Sequence, residues 1–239
     1  MSEHTGHDDA ARHRHDHRDH RHHGHHGHEN DQGIRGALRY IRWLPQMWRS
    51  AINDAVVDLI APRPGERGVD IGAGMGAGAI RAAATGTRVI AVEPTPFMRR
   101  LLEVRRLASR HRARIEVVDG AAERIPADDR SIDAIWAVNT MHHWIEVEIG
   151  VAEIARVLRP NGRILLVDED FADPSHPDHR RFAGDHDDEH HGFTMVDAET
   201  MGDLLRAAGL VDVDTSNRRI AGRPVISVAA RGTPMGGSS

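Results

Sequence analysis

The chain contains no cysteine and no lysine, and only 4% of its residues are aromatic. Without cysteine it has no disulfides, thiolate metal ligands or cysteine nucleophile, and a cytoplasmic location is expected. Without lysine, Schiff-base chemistry and a lysine base are excluded, and every strong cation is an arginine. No apolar run approaches the roughly 20 residues of a membrane span. The formal net charge of −5, without a long basic stripe, argues against nucleic acid as the main partner.

The first 31 residues form a polar, low-complexity segment that holds eleven of the nineteen histidines. Such a segment buries too little apolar surface to offset the entropy of ordering it, so residues 1–31 are predicted to be a disordered tail. The remaining pattern predicts one domain over residues 32–231 and a loose tail over 232–239. Within the domain, residues 67–168 carry the core motifs. Residues 169–193 are polar, rich in His and Asp, and are predicted to form a variable lid.

Strand-like and helical runs alternate through the core of the domain. Strands are predicted at 67–71, 88–93, 114–118, 132–138 and 162–168, and helices at 77–84, 96–110 and 146–158. A further helix at 197–208 precedes two strand runs, 210–217 and 224–230, that have no helix between them. The alternation predicts an α/β, Rossmann-like doubly wound sheet, and the last two runs predict an antiparallel hairpin. The expected sheet has seven strands, mostly parallel, with an antiparallel C-terminal strand.

Glycine occupies every second position where the first strand meets the first helix, in Gly72-Ala73-Gly74-Met75-Gly76. Glycine lets the main chain turn tightly and lets a bulky ligand approach the backbone. The spacing also fits the relaxed dinucleotide fingerprint G-x-G-x-x-G/A. The loop alone therefore leaves an NAD-dependent oxidoreductase open, as well as a turn that binds no nucleotide.

Polar residues also follow the next three strands. Glu93 follows strand two, Asp119 follows strand three, and Asn139 follows strand four. Ligands of open α/β sheets bind beyond the carboxyl ends of the strands, so these side chains are predicted to face one crevice. An acid about 20 residues after the glycines suits the hydroxyls of a ribose.

Taken together, these segments resemble the class I S-adenosylmethionine-dependent methyltransferases, in particular the ubiquinone/menaquinone type. The resemblance covers about 100 residues and includes Leu158-Arg159-Pro160-Asn161-Gly162 as a helix-to-strand turn. It implies methyl transfer from S-adenosyl-L-methionine to a small-molecule acceptor, at an O, N or C atom. The strand-end acids and the closing hairpin favour this family over the oxidoreductase.

The family's cofactor-binding residues carry over to matching positions. Asp70 and the glycine loop would hold the methionine part, and Glu93 would bind the ribose hydroxyls. Asp119 would accept a hydrogen bond from the adenine amino group, with Ala121 near the ring, and Asn139 would lie under the sulfonium. The full predicted cofactor set is Asp70, Gly72, Ala73, Gly74, Gly76, Glu93, Pro94, Asp119, Gly120, Ala121 and Asn139.

Catalytic bases and metal ligands are harder to assign. Methyl transfer needs a base only if the acceptor must lose a proton, and His142, His143 and Glu146 are the nearest candidates in sequence. The working hypothesis is that neither histidine is an essential base. Imidazoles in the predicted lid suit a divalent transition metal, and the candidates are His176, His179, His186, His190 and His191. A solvated lid without metal, and a metal-binding or regulatory protein on a methyltransferase scaffold, remain the alternatives.

Overall fold

In a computed structural model of the chain, the residues described are 50–179 and 197–234. They form one seven-stranded sheet with helices on both faces. The strands are β1 (Arg67–Ile71), β2 (Arg88–Val92), β3 (Ile115–Val118), β4 (Ile132–Val138), β5 (Leu158–Glu169), β6 (Val211–Ile220) and β7 (Arg223–Arg231). The helices are α1 (Ala51–Ile60), α2 (Ala77–Ala84), α3 (Pro96–Ala108), α4 (Val147–Val157) and α5 (Ala198–Ala207), with short 3-10 turns at Arg112–Arg114 and Met141–His143.

The strand order is β3-β2-β1-β4-β5-β7-β6. The first five strands are parallel to one another, whereas β7 runs antiparallel to both β5 and β6. This confirms the predicted sheet, with the C-terminal strand as the antiparallel one. The order reverses between β1 and β4, and ligands of such sheets bind beyond the carboxyl ends of the strands at that point.

Local signals explain where several helices begin. The Ser50 hydroxyl accepts a hydrogen bond from the Asn53 N–H at 3.4 Å and so caps α1. Helix α3 begins at Pro96, as predicted, because proline's fixed φ suits the first helical turn. The Asp197 carboxylate caps α5 by accepting the Thr200 N–H at 2.8 Å.

Two apolar layers hold the helices on the sheet. Helices α1, α2 and α3 pack on one face, around the fully buried Trp136 of β4. Helices α4 and α5 pack on the other face, where Ile154 and Leu205 are fully buried. Both faces of the central strands are therefore covered, which explains why those strands read as continuous apolar runs.

Strand β5 differs most from the prediction, because it starts at Leu158 rather than after the Pro160-Asn161-Gly162 turn. Its pairing with β4 moves from Ile132↔Leu158 directly to Ala134↔Arg163, so the turn forms a bulge within the strand. Asn161 adopts φ 60°, which asparagine tolerates well. The strand also extends to Glu169, so the segment predicted as a lid begins one residue later than expected. The other strands and helices that were predicted differ from their predicted bounds by at most three residues at either end.

Several predictions concern residues outside the described ranges. These are the tail at 1–31, the start of the domain up to residue 49, residues 180–193 of the predicted lid with the metal candidates His186, His190 and His191, and residues 235–239 of the predicted C-terminal tail. Among the described residues, no helix is both long enough and apolar enough to cross a membrane.

Candidate cofactor-binding site

The glycine loop follows β1 at the carboxyl edge of the sheet. Gly72, Gly74 and Gly76 all have positive φ, at 64°, 53° and 78°. A Cβ on Gly76 would overlap Leu102 of α3, and a Cβ on Gly72 would lie 2.8 Å from Cβ of Thr140. A Cβ on Gly74 would meet only the Gly72 carbonyl, at 4.0 Å. Two glycines therefore allow close packing within the protein, whereas Gly74 borders open space that a ligand can occupy.

Glu93 connects the glycine loop to the end of β2. The residue is only 5% exposed, and one carboxylate oxygen accepts the Gly74 N–H at 2.8 Å. The other oxygen accepts the Thr95 N–H at 2.9 Å. A carboxylate has about four acceptor positions, so both oxygens keep capacity for ribose hydroxyls. Glu93 thus fixes the loop conformation while it remains able to bind a ligand.

Asp119 lies beside Glu93 at the end of the neighbouring strand. The Glu93 N–H donates to the carbonyl of Val118, the last residue of β3, at 3.2 Å. The Asp119 side chain is 59% exposed and accepts a hydrogen bond from Arg99 at 2.8 Å, with Arg124 further away at 3.5 Å. Two acids from adjacent strands therefore border the same edge as the glycine loop.

The other predicted positions of this edge have structural contacts. The Ala73 N–H donates to the Val92 carbonyl at 2.9 Å, and the Pro94 carbonyl accepts from Arg99 at 2.6 Å. A Cβ on Gly120 would lie 2.8 Å from a main-chain oxygen, so this glycine permits a tight turn. Ala121 pairs with Arg124 in an isolated antiparallel bridge that closes the turn.

Asp70 is buried, at 2% exposure, and its Oδ2 has no hydrogen-bond partner among the described residues. A Cβ on Gly78 would lie 2.9 Å from Oδ2 of Asp70 and 3.0 Å from Nε1 of Trp136. The Asp70 carboxyl group therefore faces α2. Burial raises the pKa of Asp70 to about 8, and the charge of Glu93 adds to this rise, although the Ala79 N–H opposes it. The carboxyl group of Asp70 is thus buried against α2, and its role toward a cofactor stays a prediction.

Asn139 ends β4 in a left-handed conformation, with φ 56°. Its side-chain Nδ2 donates to Oε1 of Glu169 at 2.7 Å, and its side-chain Oδ1 accepts the main-chain N–H of Glu169 at 2.7 Å. Both ends of the side chain therefore contact β5, and only the remaining acceptor and donor capacity is available to a ligand.

Glu169 lies at the centre of a buried charged cluster at the carboxyl edge of the sheet. Its second carboxylate oxygen accepts hydrogen bonds from His176 at 2.8 Å and from Arg223 of β7 at 2.5 Å. Burial alone would raise the pKa of Glu169, but hydrogen bonds from Arg223, His176 and Asn139 outweigh it and lower the pKa. Arg223 also lies 3.4 Å from Asp178. The cluster joins the ends of β4, β5 and β7.

Asp168 organises the turn that follows β4. Its carboxylate accepts the main-chain N–H groups of Thr140, Met141 and His142 at 2.9, 3.3 and 3.1 Å. The same carboxylate lies 2.8 Å from Nδ1 of His142. The His143 ring lies 4.1 Å from the His142 ring, centroid to centroid. Asp168 therefore orients the ring of His142.

Glu146, the third candidate base, is exposed at the start of α4. Its main-chain N–H donates to Glu123 at 3.2 Å. The structure therefore groups His142 and His143 at the end of β4 and leaves Glu146 at the surface.

His176, a predicted metal ligand, is hydrogen-bonded through both ring nitrogens in this structure, and its role toward a metal stays a prediction. Its Nε2 contacts Glu169, and its Nδ1 accepts the Asp178 N–H at 3.0 Å, so both ring nitrogens are occupied. This pattern requires a neutral ring with the proton on Nε2. His179 uses Nδ1 to donate to the Phe171 carbonyl at 2.9 Å. Within residues 50–179 and 197–234, no group of three or more His, Cys, Asp or Glu residues is arranged to hold a metal ion.

Comparisons with known proteins agree with this geometry. Residues 69–166 match the family model described as "Methyltransferase domain". An uncharacterized methyltransferase of Mycobacterium tuberculosis is 39% identical over 119 residues, which are 50% of this chain and 46% of the relative. The demethylmenaquinone methyltransferase of Clavibacter sepedonicus is 37% identical over 136 residues, 57% of this chain and 52% of the relative. The chain thus spans about half the length of the curated relatives it matches.

Solved structures agree on the fold. A SAM-dependent methyltransferase from Thermotoga maritima matches with a TM-score of 0.60 at 21% identity, over 83% of this chain and 97% of that one. The sheet order and the helices on both faces define a doubly wound α/β protein. Residues 69–166 are, more specifically, a class I S-adenosylmethionine-dependent methyltransferase domain, which confirms the predicted family. The comparisons do not support the oxidoreductase alternative.

Sequence reasoning missed several residues that shape this site. Arg99 and Arg105 of α3 and Arg223 of β7 gave no signal, because an arginine on an amphipathic helix or edge strand normally indicates a solvated face. Asp168 and Glu169 could have been found, since both end a predicted strand in the same way as Glu93. They were instead assigned to the core motifs and to the start of the lid.

Proposed function

We propose that this chain transfers a methyl group from S-adenosyl-L-methionine to a small-molecule acceptor. The observation that carries the proposal is the meeting of three elements at one sheet edge. The glycine loop after β1, Glu93 after β2 and Asp119 after β3 are neighbours through the pairings β1–β2 and β2–β3. The 39% and 37% identical relatives, both methyltransferases by name, support the same activity.

The residues present fit the predicted cofactor. Gly74 offers open space next to the main chain, Glu93 retains acceptors for vicinal hydroxyls, and Asp119 presents an exposed carboxylate to an amino group. S-adenosylmethionine supplies an electrophilic methyl on a sulfonium. The protein's contribution is therefore to bind, align the acceptor and exclude water, and alignment alone provides a large part of such rate enhancements.

Proton removal from the acceptor stands as a separate question. Asp168 holds Nδ1 of His142 as the carboxylate of a catalytic pair would, but it also holds three main-chain N–H groups of the same turn. These contacts suffice to explain the pair as a structural element. We therefore keep the proposal that neither His142 nor His143 is an essential base.

Three further features remain proposals. A cytoplasmic location is one of them, and the lack of cysteine is compatible with it. A bound divalent metal remains a proposal for His176, His179, His186, His190 and His191, and binding at His176 would require its two present hydrogen bonds to rearrange. The acceptor atom stays open among O, N and C, and the demethylmenaquinone methyltransferase relative makes quinones a sensible first class to assay.

The test is transfer of labelled methyl from S-adenosylmethionine to a panel of small acceptors, with quinols included. The full-length chain is assayed with and without added nickel or zinc. The proposal predicts labelled product together with S-adenosylhomocysteine from at least one acceptor class. Tight metal binding without S-adenosylhomocysteine formation or binding would instead favour the regulatory alternative.

A further inference from the structure

Helix α3 presents one face to the candidate cofactor site. Arg99, Leu102 and Arg105 are spaced three residues apart, so they lie along one side of the helix. Leu102 packs at the position a Cβ would take on Gly76, and Arg105 donates to the Met75 carbonyl at 2.7 Å. This face therefore contacts the glycine loop directly.

Arg99 contacts the other half of the site. Its Nη1 donates to the main-chain carbonyls of Glu93 at 2.7 Å and Pro94 at 2.6 Å, and to Oδ1 of Asp119 at 2.8 Å. The Arg99 side chain is 23% exposed, whereas that of Asp119 is 59% exposed. One partly buried guanidinium thus joins the turn after β2 to the first residue after β3.

An exposed carboxylate on a turn normally samples several rotamers, and an exposed ion pair restricts it little. The Arg99 guanidinium differs because two main-chain carbonyls fix it from the protein side. Arg124, the other cation near Asp119, lies 3.5 Å away and is 68% exposed, so it cannot provide the same restraint. The Asp119 carboxylate is therefore held in one orientation mainly by Arg99.

We propose that Arg99 is a positioning residue that orients Asp119 toward the exocyclic amino group of adenine and thereby sets the base selectivity of the cofactor site. The inference rests on the proposed function. A carboxylate in a fixed orientation accepts a hydrogen bond from a 6-amino group but repels the 6-oxo group of hypoxanthine. Sites built around such a hydrogen bond reject the analogue that lacks the donor.

The experiment is a titration of the full-length chain with S-adenosylhomocysteine and with S-inosylhomocysteine, its 6-oxo analogue. The unmodified chain is expected to prefer the amino compound by about tenfold or more. Arg99→Ala should weaken S-adenosylhomocysteine about tenfold and change S-inosylhomocysteine by less than about twofold. Arg100→Ala, the matched control, removes an exposed arginine from the same helix and should change neither affinity.

Two further variants make the test specific. Asp119→Ala should abolish the base preference, and adding Arg99→Ala to it should have no further effect, since both residues act through one contact. Arg99→Gln keeps a long polar side chain without the charge and should lose the preference as Arg99→Ala does. If Arg99→Ala does not fold, as judged from its melting temperature, the Gln variant decides the question.

Equal weakening of both ligands by Arg99→Ala, or of both by Arg99→Gln, would reduce Arg99 to a structural residue and overturn the inference. An unchanged base preference in the variants would overturn it as well. Failure of the unmodified chain to bind S-adenosylhomocysteine would instead contradict the proposed function itself, and the inference with it. The two failures are distinguishable because only the second affects the unmodified chain.

Discussion

The glycine loop and the Glu169 cluster lie in different halves of the carboxyl edge of the sheet, and different kinds of contact hold them. At the end of β1, the glycine loop takes its shape from main-chain conformation, and Glu93 at the end of β2 holds it through the Gly74 N–H. In the Glu169 cluster, at the ends of β4 and β5 and the start of β7, Glu169 is joined to the side chains of Asn139, His176 and Arg223. The glycine loop depends on the absence of a Cβ at its glycines, whereas the Glu169 cluster depends on a negative charge that three side chains contact.

Among the substitutions considered, one at Gly76 should disturb the glycine loop most severely. Gly76→Ala would place a Cβ on Leu102 and force a non-glycine residue to φ 78°. We expect a loss of about 3 kcal/mol in the free energy of unfolding, from overpacking and backbone strain together. Denaturant titration measures the loss. A loss below about 1 kcal/mol would show that the loop is not tightly packed against α3.

Gly74→Ala is the matched control, because its φ is also positive but its Cβ would point into open space. It should cost only about 1 kcal/mol of stability. If the open space belongs to the ligand, affinity for S-adenosylhomocysteine should nevertheless fall by tenfold or more. A folded Gly74→Ala variant with normal affinity would argue that the ligand lies elsewhere.

On the other half, Glu169→Gln removes the charge that Arg223 and His176 share while it keeps the side-chain volume. Breaking a buried charged pair leaves the partner uncompensated, and we expect a loss of about 2 kcal/mol in unfolding free energy. Glu103→Gln is the control, since Glu103 pairs with Arg106 at the surface of α3 and should cost under about 1 kcal/mol. Equal losses for both variants would contradict the buried-cluster interpretation.

The two halves should also differ in pH dependence. The pKa of Asp70 is raised from 3.8 to about 8, so its contribution to stability is complete below pH 3.8 and is lost as pH rises toward 8. The pKa of Glu169 is lowered below 4.5, so its contribution is present above pH 4.5 and is lost as pH falls below that value.

Asp70→Asn should therefore remove the alkaline decline in stability and leave the acid decline. At pH 8.5 the variant should be more stable than the unmodified chain, by on the order of 2 kcal/mol, because it carries no buried charge. Melting curves from about pH 2 to about pH 9 for Asp70→Asn and Glu169→Gln provide the measurement. An alkaline decline that persists in Asp70→Asn would have to come from another group.

The smallest effect is expected at His142. If the Asp168 contact only fixes the turn, His142→Ala should lower kcat by less than tenfold and leave the shape of the pH–rate profile unchanged. His143→Ala is the neighbouring control. A fall of a hundredfold or more in His142→Ala alone, with the acid limb of the profile lost and S-adenosylhomocysteine affinity retained, would identify a general base.

The difference between the halves also explains what could be read from the sequence. Glycines at alternate positions and acids at strand ends are local patterns, so the loop, Glu93 and Asp119 were predictable from adjacent residues. Arg223 contacts Glu169 only because β7 inserts between β5 and β6. The two residues are 54 positions apart in the sequence, so no local pattern indicates the contact. His176 resembled a metal ligand because residue type alone does not show that Glu169 and Asp178 contact both of its ring nitrogens.

The bulge in β5 is a third case. Pro160-Asn161-Gly162 indicated a stop, and the chain does loop out there, but pairing of Leu158 with Ile132 places the loop inside the strand. Turn chemistry was read correctly from the residues, whereas the strand's true start depended on its neighbour in the sheet.

We propose that the ends of β1, β2 and β3 bind the adenosyl cofactor. The most direct test is calorimetric titration of the unmodified chain and of Glu93→Ala. Heat is measured on addition of S-adenosylhomocysteine and, separately, of NADH. The account predicts saturable binding of S-adenosylhomocysteine, no binding of NADH, and at least tenfold weaker binding in Glu93→Ala. Binding of NADH in preference, or equal S-adenosylhomocysteine affinity in both proteins, would contradict it.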